Sequence, residues 1–205
     1  MKILKILKIL KRKLSLFYIC LFLVSCSKEN NIGVAPDSSN GNCESSIPFL
    51  KTGKELVFDF FQFGINSGTM KMTFGNCNGE GFLVTRGFYD TFGKLHRSSV
   101  DLMKQEGDFL LIDSNNDKDY FSKNYKKNAK LNEEWKYTRS DKAVVTHKVI
   151  DLDSVITVPA GTFHCKVFKF STTTAINDSY VFWNDDIGNV YENTGFFKME
   201  LKSFK

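Results

Sequence analysis

From Glu55 onward, hydrophobic residues fall on every second position, and Gly, Asn and Asp interrupt the alternation at short intervals. A period of two puts successive side chains on opposite faces of a strand. Leu56, Phe58 and Phe60 share one face of a first strand. Gly64 to Gly68 reads as a turn, and Met70, Met72 and Phe74 then mark a second, half-buried strand. Asn76 to Gly79 turns the chain again. Phe82, Val84 and Phe88 make a third apolar face, which Arg86 breaks. A fourth strand is expected over Lys94 to Met103 and a fifth over Asp108 to Ile112, before a polar loop from Asp113 to Asp119. The one short helix that the pattern allows spans residues 121–130. Trp135 and Tyr137, then Ala143 to Ile150, continue the strands. Val155 to Val158 reads as a further strand ending at Pro159-Ala160-Gly161, with Pro and Gly placed as a type I turn prefers. Phe163 to Phe170, Ser179 to Trp183 and Val190 to Glu192 follow. The last strand sets Phe197, Met199 and Leu201 against Lys198, Glu200 and Lys202.

About a dozen short strands joined by tight turns predict an all-β fold, a single antiparallel meander. So large a sheet does not stay flat and open, and a barrel or half-barrel is expected, with a sandwich as the alternative.

The first 25 residues follow another rule. Lys2, Lys5, Lys8, Lys11, Arg12 and Lys13 precede an apolar run from Leu14 to Val24 that only Ser15 interrupts. This is a basic region followed by an apolar region of signal-peptide length, short of the about 20 residues that span a bilayer. The run ends in Leu23-Val24-Ser25-Cys26, which resembles the lipobox of bacterial lipoproteins. The resemblance implies cleavage before Cys26, lipidation of its thiol and acylation of the new amine. Several acyl chains anchor durably where one holds only marginally. The expected organisation is a signal peptide over 1–25, a flexible Ser/Asn/Gly/Asp/Glu-rich tether over 26–46 and a β domain over 47–205. Ser27 after the cysteine gives no reason for retention at the inner membrane. The expected location is therefore the cell envelope, lipid-anchored at the outer membrane.

Charge changes meaning once the leader is set aside. The chain has 28 basic and 23 acidic residues; six of the basic and none of the acidic ones precede residue 26, which leaves 22 against 23. The excess that would suggest a nucleic-acid partner disappears. Lys123, Lys126, Lys127 and Lys130 read as a solvated face. Cys43, Cys77 and Cys165 remain besides the anchor. An oxidising compartment permits disulfides, and a hairpin between the first two strands would bring Cys43 near Cys77; the two could pair or stay free. Cys165 reads as a small buried hydrophobe.

Two further stretches resemble a broad group of exported bacterial β-rich domains of unknown function. They are Ile47-Pro48-Phe49-Leu50-Lys51-Thr52-Gly53 with the strand after it, and Val158-Pro159-Ala160-Gly161-Thr162-Phe163-His164-Cys165. Trp183 with Asp186-Ile187-Gly188-Asn189-Val190-Tyr191-Glu192 is similar to the group's closing motif, one residue short in its final spacing. Leu56 or Val57 stands where Trp is usual, and Asn189 where an apolar residue is usual. The resemblance implies the fold and export and adds no chemistry.

Candidate chemistry is sparse. Asp113, Asn115, Asp117 and Asp119 have the spacing of a calcium loop, but Lys118 replaces its glycine and Asn124 its final Glu. His96, His147 and His164 form no zinc-ligand spacing. Asp185-Asp186 and Asp151 with Asp153 could serve as paired carboxylates for glycosidic chemistry, yet Asp at strand ends commonly supports turns. Nucleophile and phosphate-loop motifs are missing. The expectation is a non-enzymatic protein that needs no cofactor or metal. Its aromatic-rich β domain would bind an apolar or amphipathic small molecule. A structural or protein-interaction subunit of the envelope is the second reading, and a polysaccharide hydrolase the third.

Overall fold

A strand with one apolar face must find cover for it, and here the strands cover one another by closing into a ring. The computed structural model describes residues 43–174 and 178–205. The expected signal peptide, Cys26 and the tether up to residue 42 lie outside the described residues. Residues Ser38–Lys205 form one unit by themselves.

Twelve strands follow in order: β1 (Glu55–Gln62), β2 (Ile65–Cys77), β3 (Phe82–Tyr89), β4 (Leu95–Glu106), β5 (Phe109–Asp113), β6 (Ser122–Lys126), β7 (Glu134–Thr138), β8 (Val144–Val158), β9 (Gly161–Thr172), β10 (Ser179–Asn184), β11 (Gly188–Asn193) and β12 (Phe197–Phe204). They form one antiparallel sheet in the order β6-β5-β4-β3-β2-β1-β12-β11-β10-β9-β8-β7. The first and last strands pair, with Phe58 opposite Leu201 and Phe60 opposite Met199. The result is an all-β meander rolled into a nearly closed barrel.

The two unpaired edges are β6 and β7, in the middle of the sequence, and side chains span the seam between them. Trp135 Nε1 donates to the Lys123 carbonyl at 2.8 Å. Lys126 pairs with Glu133, and the Trp135 ring lies edge-on to Phe109 at 5.5 Å. These contacts blunt two exposed backbone ladders that would otherwise invite pairing with another chain.

Register carries the apolar stripe around the ring. Phe58 faces Met70, and Met70 faces Phe88; on the other side Met199 faces Glu192, Glu192 faces Val181, and Val181 faces Phe168. Phe58, Phe168, Leu201, Val149 and Val190 are fully buried. Each such side chain contributes about 1.5–3 kcal/mol relative to exposure.

Alternation makes two ends. At the base, Ile47, Phe49 and Leu50 turn into the barrel and plug it. Phe49 lies against the Cα of Gly188, where an added Cβ would sit 3.2 Å from the Phe49 ring. A Cys43–Cys77 disulfide holds the segment before this plug, and Gln105 Oε1 accepts from Ser45 Oγ at 2.9 Å and Ser46 N at 2.7 Å. The long β8–β9 hairpin folds over the same end, with Ala160 N donating to Leu201 O at 3.0 Å. At the opposite end, the mouth, lie the β1–β2, β3–β4 and β11–β12 tips.

Two local expectations are corrected. Residues 121–130 hold no helix: β6 occupies Ser122–Lys126 and pairs with β5 through a register shift at Leu110/Leu111. Phe121 and Tyr125 are spaced as on a helix face, but the β5 edge offers a ladder that a lone helical turn cannot match. Ala143 to Ile150 and Val155 to Val158 are not separate strands. β8 runs through both, with irregularities at Val149/Asp151 and Asp151/Ser154, so Asp151 and Asp153 sit inside a bent strand.

Candidate functional site: the upper barrel interior

The base of the barrel is solid. Phe49, Tyr125 and Trp183 meet with ring centroids 5.3–5.4 Å apart. Tyr125 Oη donates to Asp185 at 2.7 Å, and Lys166 Nζ reaches both Asp185 oxygens at 2.8 and 2.9 Å. Asp186 contributes its carbonyl, which accepts from the buried Lys54 ammonium at 2.8 Å. Burial pushes Lys54 down to about 8. Asp185 and the Asp186 carbonyl therefore tie the β10–β11 turn to β6, β9 and the residue before β1. Asp153 instead binds the exposed His164 ring at 2.7 Å.

The other motifs bond mostly within their own loops. Asp113 Oδ2 accepts from Lys118 N at 3.1 Å and Asp117 Oδ1 from Asp119 N at 3.1 Å, so the calcium-like loop caps its own backbone. Among the described residues, no three His, Cys, Asp or Glu side chains are grouped to hold a metal. His96 lies 3.3 Å from Asp90 on the surface. Cys165 is buried and free, with its thiol raised to about 12 by burial first and by Asp185 second.

The upper interior differs. Phe60, Met72, Phe88, Tyr137, Phe170 and Phe197 occupy inward register positions, yet solvent still reaches them. These side chains line the mouth-side half of the barrel interior, the lumen, and are partly accessible there.

Polar groups sit within that lumen. Arg86 and Asp101 face inward from β3 and β4. Arg86 Nη2 donates to Asp101 Oδ1 at 2.8 Å and its Nε lies 2.6 Å from Oδ2. Asn115 N adds a bond to Oδ1 at 3.0 Å. His147, only 4% exposed, is stacked between Trp135 (5.3 Å) and Phe170 (5.5 Å), with Tyr137 at 5.7 Å. Neither ring nitrogen has a partner among the described residues. Burial drives its pKa down to about 4, so the ring is neutral at pH 7. Glu192 faces inward between Met199 and Val181 and accepts from Asn189 Nδ2 at 3.3 Å. Burial raises its pKa to about 7, against smaller opposite effects of the Asn189 amide and the Arg86 charge. Tyr137 is raised by burial first, then by Tyr120 and Glu192.

Sequence reading named His147 and Arg86 without connecting them, and it missed Glu192, Asp101 and Tyr137 as a group. The usable clue was a charged residue on an apolar stripe: Arg86 breaks one, and Asp101 stands directly opposite Val84 on the next strand.

No family model and no curated protein matches this chain. Two solved structures share its fold. One, from Bacteroides fragilis, is described as a "putative exported protein with YMCC-like fold"; it is 11% identical, covers 77% of this chain and 99% of its own, and has a TM-score of 0.53. The other, from Parabacteroides distasonis, is described as a "putative lipoprotein"; it is 13% identical, covers 80% of this chain and 100% of its own, with a TM-score of 0.50. At such identity the likeness shows a common architecture, a rolled β meander also found in proteins described as exported or lipidated.

Proposed function

We propose that this protein is a non-catalytic lipoprotein of the cell envelope, anchored through Cys26 at the outer membrane, whose barrel lumen holds an amphipathic small molecule. The observation that carries the reading is the split interior: a plugged base below a mouth-side half lined by partly accessible aromatic side chains and inward polar groups. The leader ending in Leu23-Val24-Ser25-Cys26 supports the anchor, and the two structural relatives described as exported and as a lipoprotein agree with it. The Cys43–Cys77 bridge suits an oxidising compartment.

The test is native mass spectrometry of Ser38–Lys205 isolated from its own envelope. The expected result is a mass above that of the polypeptide, lost on organic extraction and restored by adding a single-chain amphiphile. A bare polypeptide mass that no amphiphile changes would refute carriage. The anchor is tested separately with labelled palmitate, which should enter the native protein and not a Cys26→Ser variant.

One observation favours a second reading, an envelope interaction subunit. Phe63 and Ile65, Phe92 and Leu95, and Phe196 are exposed on the three mouth tips. Changing Phe63, Phe92 and Phe196 to Ser should abolish crosslinking to a membrane partner under that reading and leave ligand mass unaltered.

A further inference from the structure

The lumen carries a charge pattern as well as an apolar wall. Four groups on the inward face can be charged: Arg86, Asp101, Glu192 and, at the rim opposite Phe88, Arg97. Arg86 and Asp101 neutralise each other at 2.6–2.8 Å. Among the described residues Glu192 has no cation in contact, and its hydrogen-bond partner is the Asn189 amide at 3.3 Å. The groups facing it are Met199 and Val181 on the flanking strands, with Arg86 and Tyr137 on β3 and β7. His147 supplies no positive charge, because its buried ring is held neutral.

We infer, building on the carriage reading, that the lumen selects amphiphiles with a cationic amine head, which Glu192 binds beside the aromatic wall of Tyr137, His147 and Trp135. Three features carry this. An acid without a counter-ion, enclosed by protein yet wetted by the lumen, lacks the partner that an ammonium supplies. Aromatic faces attract cations and tolerate the alkyl chain behind them. The His147 nitrogens and Asn189 Oδ1 are buried without partners, so a donor and acceptors remain for the amine hydrogens or for a hydroxyl next to the head.

An anionic head fits less well. It would meet the Glu192 carboxylate, and Arg86 is already occupied. Arg97 covers the Phe88 ring at 4.5 Å but is exposed at the mouth, where an ion pair is worth little. When an ammonium binds, it keeps its proton, and Glu192 releases its own to solvent as it ionises.

The experiment uses Ser38–Lys205, which has its own core, with three probes of equal chain length: dodecylamine, dodecanol and laurate. Trp135 fluorescence and calorimetry below pH 7, in two buffers of different ionisation enthalpy, report affinity and proton release. Dodecylamine should bind about tenfold or more tighter than laurate, the size of one charged hydrogen bond, and release a proton. Glu192→Gln should remove both the preference and the proton release, and leave dodecanol affinity unchanged. Equal or tighter laurate binding by the unaltered protein overturns the amine assignment and leaves carriage standing. Unchanged amine affinity in Glu192→Gln does the same. Failure of all three probes overturns carriage as well.

Discussion

Glu192 and His147 bias stability in opposite directions over the same pH range, and separating them tests the description of the lumen. Glu192 titrates near 4.5 unfolded and about 7 folded. Between those values the folded chain holds a proton that the unfolded chain lacks, so stability falls as pH rises. His147 titrates near 6.5 unfolded and about 4 folded. Between those values the unfolded chain holds the extra proton, so stability rises with pH. Each group moves by about 2.5 pH units (4.5 to 7, and 6.5 to 4), equivalent to about 3 kcal/mol per group. Glu192 is partly exposed and so partly screened, which lowers its figure to about 2 kcal/mol. The two slopes cancel from about pH 4.5 to 6.5, so the native domain should show nearly flat stability there with respect to this pair. Removing either group exposes the other. Urea unfolding followed by Trp fluorescence at pH 4.5, 5.5, 6.5 and 8 is the assay, with Glu192→Gln and His147→Phe each compared with the native chain. Relative to native, Glu192→Gln should gain about 2 kcal/mol between pH 4.5 and 8. His147→Phe should lose up to about 3 kcal/mol of relative stability over the same interval. A constant offset from native at every pH, in either variant, would refute the claim that these two side chains are enclosed as described.

Further expectations follow from other parts of the ring. Replacing both Cys43 and Cys77 with Ser frees a loop with a sequence separation of 34 and should cost about 4 kcal/mol by loop-closure entropy, measured by denaturation without reductant. Asp101→Asn leaves the Arg86 guanidinium without its counter-charge and should cost about 3 kcal/mol, with Arg86→Leu plus Asp101→Leu milder than the single change. Gly68→Ala places a methyl group onto the Tyr89 carbonyl at φ +124 and should lower stability by about 2 kcal/mol or more, read as a reduced melting temperature. Trp135→Phe removes the Lys123 carbonyl's donor at the seam and should cost about 1 kcal/mol, with faster amide exchange confined to β6 and β7.

Much of the fold was legible because β strands write their faces into sequence. Leu56/Phe58/Phe60, Met70/Met72/Phe74 and Phe197/Met199/Leu201 each line the interior as the alternation required. What alternation does not encode is how strands join. The bends at Asp151 and Ser154 look like a strand break in sequence, and β6 reads as a helix because Phe121 and Tyr125 have helical spacing while the register shift against β5 breaks the alternation. The site was less legible for the same reason. Glu192, Arg86 and Tyr137 belong to three strands far apart in sequence, and only closure sets them around one space. Asp185-Asp186, adjacent and conspicuous, proved to be joinery at the base.

The pairing of β1 with β12 has a consequence for assembly. Glu55 and Lys205 exchange backbone hydrogen bonds at 3.0 Å in both directions, so the last strand of the sheet to be made clasps the first. Until it arrives, β1 waits with one flank bare, and the hoop is a fan. Clipping the last eight residues should therefore undo far more than the strand it deletes, whereas a nick in the 127–133 connection, where the hoop already parts, should be borne with little loss.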